Sequence, residues 1–127
     1  MFSRGAKDTG AFVDGSESTV IPPIIAPIDG DIVVVKHRVS AFAGTDLEVV
    51  LRSLGVQKLV LAGLSTSGAV LSTLRQGADL DYGLTVLRDL CFDTDEEVHR
   101  VLVEKLFPKQ AGVVTADEWV ASLKAQE

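Results

Sequence analysis

Short apolar runs alternate along the chain with segments whose apolar residues recur at helical spacing. Ile32 to Val35 is a continuous β-branched run directly after the turn sequence Asp29-Gly30, which predicts a strand that is buried on both faces. The runs 58–62, 84–87 and 112–114 predict three more strands. Each of the four runs is followed by a segment with a helical pattern.

The helical segments have recognisable ends. Thr45 is the predicted N-cap of a helix whose apolar residues repeat at helical spacing until Gly55 ends it. Thr115 and Glu118 have the Thr-x-x-Glu form of a capping box, which predicts the start of the last helix. Two further helices are predicted at about 70–78 and 95–107.

Four strands that alternate with four helices predict a parallel sheet, because parallel neighbours require crossover connections. The predicted fold is a Rossmann-like three-layer α/β/α sandwich. Residues 1–20 are rich in Gly, Ser, Asp and Thr without regular periodicity, so we expect an irregular N-terminal segment followed by one domain at 21–127. A chain of 127 residues is long enough for one ordinary core.

Composition excludes several classes of protein. With 46% apolar and 24% charged residues, the chain resembles a soluble globular protein. The net charge of −6 comes from scattered acidic residues, and no basic cluster offers a surface to nucleic acid. No apolar run suits secretion or membrane insertion, and the single cysteine, Cys91, cannot form an internal disulfide. These features predict a cytoplasmic protein.

Ligands in parallel α/β sheets bind beyond the carboxyl ends of the strands, which points to 36–41, 63–69 and the residues after Leu87. Lys36 could hold an anion there, or it could be a solvated lysine that ends a strand. The small residues of 63–69 precede a helix, so their backbone N–H groups could bind a carboxylate, a phosphate or an oxyanion. The alternative is a tight turn in which Ser65 to Ser67 act as helix caps.

Three segments together resemble the isochorismatase-like hydrolases, which include nicotinamidases, carbamoyl-amine hydrolases and isochorismatase. They are Lys-His-Arg-Val-Ser-Ala-Phe-Ala-Gly-Thr-Asp-Leu at 36–47, Leu-Val-Leu-Ala-Gly-Leu-Ser-Thr at 59–66 and Asp-Leu-Cys at 89–91. The resemblance runs from about Pro22 to Trp119. It implies the same three-layer fold and hydrolysis of amide C–N bonds or of the isochorismate vinyl ether.

The resemblance also implies site residues. Lys36 matches the catalytic lysine of the family, and Ala69 occupies the position of its nucleophilic cysteine. The N–H groups of Ser65 and Ala69 match the oxyanion hole, with Leu64-Ser65 as the candidate cis peptide. The residues expected in the substrate pocket are Phe42, Thr66 and Ser67. In this comparison Cys91 is a bystander, and its expected role is a buried packing thiol.

The family's N-terminal strand, which ends in an acid-base aspartate, has no counterpart in this sequence. Asp8, Asp14 and Asp29 lie in irregular or turn sequence and do not replace it. We therefore expect reduced or absent hydrolase activity, although protonation of a vinyl ether would be compatible with Ala69. The alternatives are a non-catalytic module that binds small anions or oligomerises, or a gene product that starts further upstream. Loss of that strand would expose a sheet edge, which predicts a homo-oligomer.

The remaining polar residues predict no metal site and no cofactor. The acidic run Asp93, Asp95, Glu96 and Glu97 is typical of a helix N-terminus with a solvated face. His99 lies within a predicted helix, where a structural or solvated role is expected. His37 would point away from the face that Lys36 occupies. No Ser-His-Asp arrangement can be built from these residues.

Overall fold

The computed structural model describes residues 17–126. A parallel sheet forms the centre of the fold, with strands β1 (Lys58–Leu64), β2 (Gly83–Phe92) and β3 (Gly112–Val114) in the order β1-β2-β3. In register, Leu59 lies opposite Leu84, and Val86 lies opposite Val113. Helices connect these parallel strands, which confirms the predicted α/β fold with a parallel sheet.

Four α-helices accompany the described strands. They are α1 (Leu47–Ser53), α2 (Leu71–Asp79), α3 (Glu96–Val101) and α4 (Ala116–Lys124). A π-helical turn at Thr66–Val70 leads into α2, and α3 continues as a π-helical turn at Leu102–Leu106 and a 3-10 turn at Phe107–Lys109. Over residues 17–126, none of these helices has the length and apolar character required to cross a membrane.

The helix ends agree with the sequence pattern in two of three cases. The capping box is present, since the Thr115 hydroxyl accepts from the Glu118 N–H at 3.1 Å and the Glu118 carboxylate accepts from the Thr115 N–H at 2.7 Å. Gly55 follows α1 with φ of 68°, the left-handed conformation that favours glycine. The prediction of Thr45 as N-cap is wrong by one residue: Asp46 holds that position without a side-chain cap bond, whereas the Thr45 hydroxyl accepts from the Leu47 N–H at 3.3 Å.

The predicted strand at 32–35 does not form. Residues 31–37 have no regular secondary structure, and the side chains of Ile32, Val33 and Val35 are about 60% exposed (58%, 61% and 62%). A β-branched run becomes a strand only when a neighbouring strand supplies matching backbone donors and acceptors. Among the described residues, β1 pairs with β2 alone, so the sheet has three strands there instead of the four predicted.

The chain divides into two compact units at Val33 and Val34. In the described part of the first unit, 3-10 turns form at Glu17–Thr19 and Pro23–Ile25, and the Asp31 carboxylate accepts from the Ile28 N–H at 3.0 Å. The predicted domain boundary at 20 and 21 falls inside this unit. Most of the segment predicted to be irregular, 1–16, lies outside the described residues, as do Asp8 and Asp14.

The core of the second unit lies where β2 meets α2 and the segment after α3. Its buried members are Phe42, Val70, Leu74, Tyr82, Leu84, Val86, Cys91, Leu102, Val103 and Phe107. Leu87 is also buried but lies outside this cluster, because neighbouring strand residues point to opposite faces. Since α4 contacts β2 as well, side chains cover both faces of this strand. The sheet is therefore the middle of three layers.

Candidate functional site

A groove of about 290 Å³ lies in the second unit, beside β1. It is lined by Lys36, Ala41, Leu47, Leu51, Leu59, Val60, Leu61, Ala62, Leu64, Ala69, Val70 and Thr73. Four consecutive strand residues contribute, 59–62, although their side chains alternate between the two faces of the sheet. The groove therefore follows the edge of β1, and β2 occupies the other edge. We call it the β1 groove.

Lys36 and Ala69 both line the β1 groove, although 32 residues separate them in the chain. The Lys36 ammonium donates to the Arg38 carbonyl at 2.8 Å. Among the described residues that line the groove, Lys36 is the one with an ionisable side chain. The structure thus brings the lysine and the predicted nucleophile position to one cavity, with a positive charge against otherwise mainly apolar walls.

The segment that carries Lys36 is tied to α2 by polar contacts. The Ala41 N–H donates to the Thr73 hydroxyl at 2.9 Å, and the Ser40 hydroxyl donates to the Gln76 side-chain oxygen at 2.7 Å. Ala41 and Thr73 themselves line the groove. These bonds fix one wall of the cavity to the helix that follows the Ala69 turn.

The turn that carries Ala69 begins with a cis peptide between Leu64 and Ser65, as the resemblance predicted. Ser65 is extended (φ −91°, ψ 151°), and its carbonyl accepts from the N–H groups of Gly68 at 3.2 Å and Val70 at 3.1 Å. A Cβ atom at Gly68 would collide with the Ser65 hydroxyl oxygen, so a side chain there would force that hydroxyl to rotate away. The oxyanion role of the Ser65 and Ala69 N–H groups remains a prediction.

The structure places the three predicted pocket residues outside the lining of the β1 groove. Phe42 is a core residue that stacks on Tyr82, with ring centroids 5.9 Å apart. Thr66 is fully buried, and Ser67 is exposed. Their contact with a substrate stays a prediction, and the side chains of Ala41 and Thr73 line the cavity in the structure.

Asp93 is a polar residue whose importance the sequence pattern did not indicate. Its carboxylate is 7% exposed and accepts from the Ser67 N–H at 2.7 Å and from the Asp95 N–H at 3.2 Å. Hydrogen bonds from the Ser67 hydroxyl and N–H hold the pKa of Asp93 below its ordinary value. The prediction of a solvated acidic run is therefore wrong for Asp93, whereas Asp95 is the N-cap of α3 as a helix start requires.

His99 also contacts the Ala69 turn. Its Nδ1 atom lies 2.8 Å from the hydroxyl oxygen of the fully buried Thr66. The contact agrees with the structural one of the two roles expected from the sequence, and its partner could not be inferred because it lies 33 residues away. The available sequence signal was a threonine two residues after a strand, with a histidine on the helix that follows the next strand.

Cys91 is a free thiol with 8% exposure and belongs to the core cluster. Burial raises its pKa, which disfavours the reactive thiolate. It lies opposite Gly63 in the sheet register and does not line the β1 groove. The expected packing role is confirmed. Within residues 17–126, no three His, Cys, Asp or Glu side chains cluster as metal ligands would.

A parallel sheet with a cavity beside a strand and a glycine-containing turn defines a Rossmann-like α/β protein. Residues 2–118 match the isochorismatase domain, so the chain belongs to the isochorismatase family. This confirms the resemblance and, with it, membership in a hydrolase family.

Individual relatives agree with this assignment. The uncharacterized isochorismatase family protein YecD of Escherichia coli O157:H7 is 34% identical over 102 residues, 80% of this chain. Ureidoacrylate amidohydrolase RutB of Klebsiella pneumoniae is 46% identical over 65 residues, which are 51% of this chain and 28% of that protein. The structure of an isochorismatase family protein from Burkholderia thailandensis superimposes with a TM-score of 0.82 at 33% identity, over 85% of this chain and 57% of that one. The alignment with YecD covers 54% of its length, so the chain spans about half of that relative.

Proposed function

We propose that the β1 groove is the substrate site of this chain, and that Ala69 leaves it with reduced or no activity in thiol-dependent hydrolysis of amide C–N bonds. The observation that supports this proposal is that Lys36 and Ala69 line one groove. RutB, the relative named as a ureidoacrylate amidohydrolase, suggests ureido and carbamoyl amides as the substrate class.

The chemical reason lies in the side chain at position 69. In the covalent route a thiolate attacks the carbonyl carbon, a sulfur–carbon bond forms, and the C–N bond breaks as the nitrogen leaves with a proton. The methyl group of Ala69 has no lone pair with which to form that bond. Lys36 can still hold a negatively charged oxygen or carboxylate at the groove.

The Ala69→Cys variant tests whether position 69 faces the reacting carbonyl. The purified variant is incubated with nicotinamide, with a carbamoyl amide and with an activated aryl ester, and intact-protein mass is recorded. The ester is included because its leaving group departs without a proton, so the test does not depend on a general acid. We expect an added acyl mass on the variant and none on the parent protein.

Ser72→Cys is the matched control, because Ser72 lies in α2, shortly after the same turn, but does not line the groove. It should acylate far more slowly than Ala69→Cys. Equal labelling of the two folded variants, or no labelling of Ala69→Cys by the ester, would remove the groove as the substrate site.

A second candidate function is the binding of a small anion without catalysis. It is favoured by the ammonium of Lys36, the one ionisable group among the described lining residues. The side chain of Lys36 is exposed, so an incoming carboxylate can reach its ammonium. Titration calorimetry with small carboxylates should show binding that Lys36→Ala abolishes and that Lys58→Ala, outside the lining, preserves. Binding that is equal in both variants would exclude this role.

We also propose that the protein is a cytoplasmic homo-oligomer that binds neither nucleic acid nor membranes. The oligomer is supported by the apolar side chains of Leu64 and Phe92, which pair in register and are 75% and 62% exposed. Light scattering after gel filtration should give a mass above one chain, and Phe92→Lys, which lies outside the groove lining, should lower it. A monomeric parent protein would refute the oligomer.

A further inference from the structure

Two side chains from beyond β2 hold the turn that carries Ala69, and neither lines the β1 groove. We propose that His99 and Asp93 are positioning residues, which act through Thr66 and Ser67 to fix how the turn presents position 69 and its backbone N–H groups to the groove. The location of the site rests on the function proposed above, and the role of the two residues is inferred from their contacts.

The contacts close a ring of hydrogen bonds. The two carboxylate oxygens of Asp93 accept from Ser67 and from Asp95, the N-cap of α3. The Asp95 carbonyl accepts from the His99 N–H at 3.0 Å, one turn into the helix. The His99 ring then contacts Thr66, the neighbour of Ser67. The start of α3 is thus bonded to the start of the Ala69 turn at two successive residues, Thr66 and Ser67.

Burial makes this ring a strong constraint. Thr66 is fully buried and Asp93 is 7% exposed, so water cannot readily replace a lost partner at either residue. A carboxylate acceptor also makes the bond to the Ser67 N–H stronger than one between neutral groups. The turn therefore keeps one orientation as long as both partners are present.

The ring also determines which backbone groups can face a ligand. The Ser67 N–H points to Asp93, and the N–H groups of Gly68 and Val70 point to the Ser65 carbonyl. These three donors are committed to acceptors in the protein. A turn released from His99 or Asp93 could rotate these donors, and the position of residue 69 would change with them.

The experiment uses the Ala69→Cys variant as a reporter and needs no substrate. The ultraviolet absorbance of the thiolate is followed against pH, and the parent spectrum is subtracted to remove the signal of Cys91. Lys36 and the helix start should lower the pKa of the introduced thiol below the value of about 8.5 for a free cysteine. Alkylation of the introduced thiol by iodoacetamide at pH 7 gives a second readout.

Adding His99→Leu or Thr66→Val to the reporter should raise the pKa of the introduced thiol by up to about one unit. Because less thiolate is then present at pH 7, alkylation should slow by roughly 3- to 10-fold. If both substitutions act through the one contact, the double variant should match either single variant rather than add their effects. Thr66→Val keeps the shape of the side chain, so the proposal remains testable even if His99→Leu does not fold.

Two further variants separate positioning from general stability. His99→Asn, which places a polar nitrogen near the site of Nδ1, should restore much of the reactivity. Arg100→Gln breaks the surface ion pairs to Glu97 and Glu104 on the same helix and should leave the pKa of the introduced thiol unchanged. The proposal is overturned if folded His99→Leu and Thr66→Val keep the reporter's pKa, or if Arg100→Gln shifts it equally. Because no substrate is present, a failure of the proposed hydrolase site would appear separately, in the acylation test.

Discussion

Asp93 is a buried residue whose carboxylate binds the turn that carries Ala69. Its carboxylate accepts from Ser67 on one side and from Asp95 on the other, and the hydrogen bonds from Ser67 lower its pKa in the folded protein. A carboxyl group whose pKa is lower in the folded than in the unfolded chain stabilises the fold above the unfolded pKa. That contribution disappears as the pH falls through the folded pKa.

Asp93→Asn should therefore lower the midpoint of thermal unfolding at pH 7, because the neutral amide accepts more weakly and turns a donor toward one of the two N–H groups. The difference in midpoint between the variant and the parent protein should shrink as the pH falls below about 4, the pKa of an unfolded aspartate. It should shrink further as the pH falls through the lower pKa that Asp93 has in the folded protein. Scanning calorimetry between pH 7 and pH 2.5 measures this. Asp29→Asn, in an exposed turn, is the control. A difference that stays constant with pH would contradict the assigned role.

Some of these residues could be predicted from the sequence, and others could not. Lys36 and Ala69 follow from short motifs read along the chain, and the groove brings them together. Asp93 and His99 contact partners 26 and 33 residues away, and those pairings depend on how α3 packs against the Ala69 turn. Phe42 lies in the core because it stacks on Tyr82, a contact that no local pattern specifies.

Among the secondary-structure elements, α4 shows the closest agreement between sequence and structure. The capping box of Thr115 and Glu118 satisfies N–H groups at the helix start, and the Asp89 carboxylate accepts from the Ala116 N–H at 2.9 Å. This last bond ties the start of α4 to β2. The cap is a local interaction, so its sequence signature was sufficient to predict it.

Thr115→Ala should lower the free energy of unfolding by about 1 kcal/mol, the usual contribution of a side-chain N-cap. Urea denaturation followed by circular dichroism gives this value. Ser122→Ala, in the last part of the same helix, serves as the control and should cost less, since its hydroxyl bonds to the Trp119 carbonyl within the helix. An equal loss in both variants would mean that the cap contributes nothing specific.

The strands show where pattern alone is insufficient. The run 58–62 becomes β1 and extends to Leu64, and the run at 84–87 grows into the ten-residue β2. The equally β-branched run at 32–35 forms no strand. Composition indicates the tendency to be extended, but strand formation also requires a neighbour, and that is a property of the assembled sheet.

For the whole molecule, the fold of the isochorismatase family is combined with a proposed reaction centre that lacks a thiol. Isochorismatase family membership and the parallel sheet place Lys36 and position 69 at one groove beside β1. In the proposed site, alanine at position 69 leaves no thiol nucleophile, while Lys36 keeps a positive charge at the groove. The fold and the proposed site therefore lead to different expectations about activity. The fold suggests hydrolysis, whereas the alanine at position 69 cannot act as a nucleophile.

The most direct test is ammonia release from nicotinamide, ureidoacrylate and carbamoyl amides by the folded parent protein, measured beside Lys36→Ala and with a cysteine-containing relative as positive control. We predict no release above the Lys36→Ala background, together with turnover by the relative in the same assay. Release by the parent protein that disappears in Lys36→Ala would contradict the account, because the groove would then catalyse hydrolysis without a thiol.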